Sequence, residues 1–148
     1  MIDKNVAVGL TAVVGGMIAL QAPINSTLGK RIGTLPAASV SFAIGTVLLV
    51  LLALVFGGGF GRLGEARHLS WIYLMGGVLG AAYVTTVLVT VRSLGAGGVT
   101  AATIAGQLTA AVVVDQLGIL GVEKQVVTAP RVAGILLLAA GTFLVVRY

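Results

Sequence analysis

Five apolar stretches constrain this chain more than any other feature. They run Val6–Leu28, Pro36–Phe56, Ser70–Val91, Gly97–Leu117 and about Thr128–Val146. A bilayer core about 30 Å thick takes about 20 apolar residues per helix, and each stretch meets that length. The links Gly29–Leu35, Gly57–Leu69, Arg92–Ala96 and Gly118–Val127, with the two ends of the chain, hold every charge except Asp115 and Arg131, and each link contains at least one glycine. Pro36 and Pro130 fit first-turn positions, where a missing N–H costs nothing. Period-two alternation is absent, which argues against a β-barrel. Only 9% of the 148 residues are charged, against about 25% in soluble domains, and 58% are hydrophobic. Mean hydropathy is +1.13. So few charges cannot cover the surface of a soluble fold this size, which excludes a soluble enzyme and a disordered tail. The 22 glycines suit close helix packing in lipid. The expected fold is an all-α membrane protein, with residues 1–148 forming one transmembrane domain of five helices.

The distribution of positive charge bears on orientation. On one side of the membrane fall Lys4, Arg62, Arg67, Lys124 and Arg131; on the other, Lys30, Arg31, Arg92 and Arg147. Short-loop basic residues normally set topology, and five against four gives almost no bias. This favours dual topology, in which the chain inserts both ways and opposite copies pair. A weak bias with orientation fixed by other factors is the alternative. An odd number of spans makes an antiparallel pair resemble a ten-helix inverted-repeat transporter. No repeat stands out within the chain. Met1-Ile2-Asp3-Lys4 opens the first span, and no small-x-small cleavage site follows a short apolar core, so a signal peptide is not expected.

Polar groups at membrane depth are costly and tend to mark pathways. Gln21 and Asn25 lie four residues apart on one face of the first helix, with Pro23 between them. Proline there removes the donor to the Ala19 carbonyl and kinks the helix. The amides can line a hydrated cavity or bond neighbouring helices. In the fourth helix Thr100, Thr103, Gln107, Ala111 and Asp115 follow three- and four-residue steps, with Gln107 near mid-span. A two-fold axis in the membrane plane would hold two copies of Gln107 at about the same depth, where inverted-repeat transporters place substrate. Asp115 ends that helix, where the dipole disfavours a carboxylate, so it needs a cationic partner or a coupling task. Arg131 is the first candidate partner and Lys124 the second. In the third helix Tyr83 is too deep for the interfacial aromatic belt and can stack on a ligand or pack in the core. Trp71 and Tyr73 read as interface anchors. Gly76 and Gly80, and Ser41 and Gly45, are small-x-x-x-small spacings for helix packing.

Chemistry-bearing constellations are missing from the sequence. There is one histidine, His68, and no cysteine, which leaves no Cys-ligated metal, no disulfide and no His-rich metal site. Gly57-Gly58-Gly59 precedes no Lys-Ser/Thr pair and reads as a loop, not a phosphate cradle. No basic stripe accompanies the net charge of +5, so nucleic acid is not an expected partner. No enzyme activity, cofactor or metal is expected.

Gly15-Gly16, Ala19-Leu20-Gln21-Ala22-Pro23-Ile24-Asn25 and Leu28-Gly29-Lys30 together resemble the opening signature of the YdcZ-type small proteins of the drug/metabolite transporter superfamily. The resemblance continues through Ser41-Phe42, Gly45, Gly76-Gly77, Gly80-Ala81 and Tyr83-Val84. It resumes at Ala105-Gly106-Gln107-Leu108, Asp115, Leu117-Gly118, Arg131, Gly134 and Gly141. It implies a five-helix protein of the bacterial inner membrane, working as an antiparallel homodimer, as a pair of oppositely oriented chains, or in fused ten-helix form. Two departures stand out. Such families usually carry a proline shortly before Leu94-Gly95, where this chain has Arg92-Ser93, and an acidic-His pair where it has Asp115-Gln116. The glutamate of the smaller multidrug-resistance relatives is also missing from the first helix, which has only neutral amides.

The resulting expectation is a dual-topology homodimer that moves a small metabolite by alternating access through a central cavity. Gln21, Asn25, Tyr83 and Gln107 are the expected substrate-binding residues, Pro23 the kink, and Asp115 with Arg131 an ion pair or coupling site. The expected partners are an oppositely oriented copy, membrane lipid and a small-molecule substrate. A non-transporting scaffold or partner subunit and a channel-like facilitator stay open as alternatives.

Overall fold

The computed structural model describes residues 3–148, and among these no residue is in a β-strand. Four helices dominate: α1 (Lys4–Ile32), α2 (Thr34–Phe56), α3 (Gly76–Leu117) and α4 (Ala129–Arg147). Two short 3-10 turns, Leu63–His68 and Trp71–Leu74, fill the link between α2 and α3. Asp3 caps α1: its carboxylate accepts the N–H groups of Asn5 and Val6.

Among the described residues, four helical segments are long and apolar enough to cross a membrane: Lys4–Ile32, Thr34–Phe56, Trp71–Leu117 and Ala129–Arg147. The third spans 47 residues. As one straight helix it would reach about 70 Å, more than twice the bilayer core. Gly95 interrupts it, with φ 67° and ψ 171°, and separates residues 76–94 from 96–117. Only glycine adopts that torsion readily, so a single residue turns the chain. The expected five-residue link at Arg92–Ala96 is therefore corrected to a break at one glycine. The first link shortens in the same way: α1 continues to Ile32, and Gly33 alone (φ 94°) separates it from α2.

The chain divides into two compact units. One contains the described residues up to Pro23 together with Thr90–Tyr148; the other is Ile24–Val89.

In the second unit, Gly33 folds the end of α1 back on α2. Asn25 Nδ2 donates to Ser41 Oγ at 3.0 Å, eight residues to either side of that glycine. Ser26 Oγ donates to the Leu88 carbonyl at 3.1 Å, tying α1 to the first arm of α3. The core here is small. Ala37, Ala38, Val84 and Leu88 are buried together, with Leu28 and Tyr83 packed against them. Alanines at the contact allow close backbone approach, which is how helices gain dispersion energy in lipid, where no hydrophobic force separates them from the solvent.

In the first unit, the second arm of α3 and α4 form an antiparallel hairpin. A side chain at Gly97 would meet Val145, and one at Gly98 would meet Leu94 and Val146. Further along, Thr142 Oγ1 donates to the Ala101 carbonyl at 3.1 Å. At the far end Arg131 reaches Asp115. The paired positions advance along one helix as they retreat along the other, so the two helices stay in register from end to end. Most apolar side chains on all four helices remain exposed, as expected of surfaces that face lipid or another chain.

Candidate functional site

Asp115 stands at the end of α3, and Arg131 occupies the first turn of α4. Each is disfavoured by its own helix dipole: a carboxylate at a C-terminus and a guanidinium at an N-terminus. They offset each other. Arg131 Nη1 donates to Asp115 Oδ2 at 3.5 Å, and both side chains are about one-third exposed, at 34% and 30%. Arg131 Nη2 also donates to Gln125 Oε1, while the Gln125 N–H donates to the Asp115 carbonyl at 2.8 Å. Gln116 Oε1 accepts the Val127 N–H at 2.7 Å. The link between the helices is thereby fastened at both ends of the turn. Among the described residues Lys124 pairs with no acid; its side chain instead packs near Gly118, whose φ of +62° ends the helix.

The expected substrate residues fall in both units. In the first, Gln21 and Gln107 are exposed, and among the described residues neither amide has a protein hydrogen bond. Thr100 and Thr103 on the Gln107 face are half-buried. Pro23 lies inside α1, which remains helical through it. In the second unit Asn25 is buried, at 6% exposure, and its amide nitrogen goes to Ser41. Tyr83 is half-buried against the alanine core. Gly80 faces the Phe42 ring, while Gly76 has open space where a side chain would stand. Among the described residues no group of three or more His, Cys, Asp or Glu gathers to hold a metal.

Residues 6–144 match the family described as "Putative inner membrane exporter, YdcZ". The chain belongs to this family. As a YdcZ-family member it is a multi-pass inner-membrane protein, and the role the family's description names is export. No curated protein and no solved structure matches it.

Several contacts in this YdcZ-family chain had weak sequence signals. Ser26 sits one residue beyond the Asn25 amide and on a different face, so its bond to the Leu88 carbonyl has no spacing cue. Thr142 is the lone hydroxyl within α4, and an intramembrane hydroxyl normally seeks a carbonyl; that signal was readable. Gln116 and Gln125 became meaningful only once the link folded back on α3.

Proposed function

We propose that this chain works as a dual-topology homodimer, two oppositely oriented copies that together move a small metabolite by alternating access. The observation that carries the reading is the distribution of basic residues, five on one set of helix ends and four on the other. With so little bias, insertion in both directions follows from the ordinary topology rule. Membership in an exporter family supports transport as the activity.

The exposed amides add support. Gln21 and Gln107 lie within membrane-spanning helices, and an amide facing hydrocarbon with no partner is costly. A second copy or a hydrated pathway removes that cost. We assign Gln21 and Gln107 to hydrogen bonding with substrate, Tyr83 to ring contact, and Asn25 to the same pathway with its orientation held by Ser41. Neutral groups of this kind favour neutral, aromatic or zwitterionic solutes over strong cations. Pro23 weakens α1 next to the Gln21–Asn25 face and gives it a place to bend.

The test is flux into proteoliposomes from a panel of radiolabelled neutral, zwitterionic and aromatic solutes. The purified protein should transport at least one of them, and Gln107→Leu should abolish that flux while the dimer survives crosslinking. Unchanged flux in Gln107→Leu contradicts the site. Loss of the dimer without any wild-type flux favours a scaffold role for the polar residues.

A further inference from the structure

The link between α2 and α3 has a pattern unrelated to the spans it joins. A 3-10 helix repeats every three residues, so side chains three apart stand above one another. Residues 63–68 form the 3-10 helix, and bonds from Leu63 N–H to Phe60 O, Glu65 N–H to Arg62 O and Leu69 N–H to Ala66 O extend its three-residue spacing by one position at either end. Phe60, Leu63, Ala66 and Leu69 therefore form one apolar stripe, and the four line a single shallow hollow whose rim includes Arg62 and Glu65. Phe60, Leu63 and Leu69 are 46%, 66% and 56% exposed. Three large apolar side chains aligned on a short surface segment need a cover.

The charged groups differ from one another. Arg62 grips Glu65 through two bonds, Nε to Oε1 at 2.9 Å and Nη2 to Oε2 at 3.0 Å. The Glu65 carboxylate raises the Arg62 pKa further above its ordinary value, and each side chain of the pair is taken up by the other. Arg67 touches only the neighbouring His68 ring, and among the described residues no carboxylate pairs with it. The segment thus has an apolar stripe, a self-neutralised pair and one uncommitted guanidinium. It lies between two segments long and apolar enough to cross a membrane, one ending at Phe56 and the next opening at Trp71.

We propose that residues 60–69 lie in the membrane interface as a monotopic anchor. The Phe60–Leu63–Leu69 stripe enters the acyl boundary and Arg67 binds the phosphate of an anionic lipid headgroup. The occupant follows from position and charge. A segment between two spans is already at the bilayer surface, apolar residues there partition into the acyl boundary, and an unpaired guanidinium matches a lipid phosphate.

The chain has no cysteine, so Leu63→Cys and Gly64→Cys each create a unique labelling site. The full-length protein, labelled at one site or the other with an environment-sensitive fluorophore, is reconstituted into phosphatidylcholine vesicles with and without phosphatidylglycerol. Acyl-brominated lipid should quench the label at 63 at least twofold more than at 64. Phosphatidylglycerol should increase quenching at 63, and Arg67→Gln should abolish the increase. Removing the internal pair with Arg62→Gln plus Glu65→Gln should leave the increase intact. Equal quenching at 63 and 64 overturns the anchor, and an increase that survives Arg67→Gln overturns the headgroup site. Emission of Trp71, the single tryptophan, confirms in each variant that the neighbouring span is inserted as in the wild type.

Discussion

Asp115 and Arg131 meet at 3.5 Å at the end of an antiparallel helix pair, each placed where its own helix disfavours its charge. The arrangement predicts a particular mutational pattern. Asp115→Asn or Arg131→Gln alone leaves one charge facing an unfavourable dipole and should lower stability by about 1 kcal/mol. The double substitution removes both unfavourable placements and should cost no more than the worse single one. Thermal unfolding of the four proteins in one detergent checks this. Additive losses would show that the two side chains act independently.

Asn25 and Ser41 give a second prediction. The bond between them lies within the α1–α2 hairpin, and Asn25 is buried. Asn25→Ala and Ser41→Ala should each destabilise by about 0.5–1.5 kcal/mol, because each leaves a polar partner without its bond. Combined, they should cost clearly less than the sum. The same unfolding assay measures the coupling, which should be near zero if the bond is unimportant.

Gly95 turns a 47-residue helical run into two membrane-length arms through a torsion that L side chains avoid. Gly95→Ala should cost about 1–3 kcal/mol and lower the yield of folded protein in the membrane. Gly106→Ala is the control. It sits inside the second arm with nothing within 4 Å of the new methyl, so it should be neutral or stabilise by up to about 1 kcal/mol. Size-exclusion profiles and melting temperatures of the two variants separate the cases.

The helical class was legible because runs of about 20 apolar residues have few folded solutions. The turns were harder to place. Links were read from charge and turn formers, and both Gly29–Leu35 and Arg92–Ala96 contain basic residues that the structure keeps helical. Lys30 and Arg31 complete the last turn of α1, where cations suit the dipole, and Arg92 continues the first arm of α3. In each case one glycine with positive φ does the turning, and sequence does not announce which glycine takes that torsion. Arg131 stood out as a partner for Asp115 because it opens the next span at the same membrane side. The Asn25–Ser41 bond needed the tight Gly33 turn to set its register. The Gln116 and Gln125 contacts depend on a folded link that apolar periodicity does not encode.

The central claim, that one chain inserts in both orientations and pairs with its own inverted copy, is tested most directly by reporter fusions at the C-terminus. A reporter active only in the cytoplasm and one active only outside it are each fused after Tyr148. The account predicts comparable signal from both, as expected of a chain with five basic residues on one set of helix ends and four on the other. Signal from one reporter alone, with the fusion stably inserted, would contradict dual topology and require a different chain as the oppositely oriented partner.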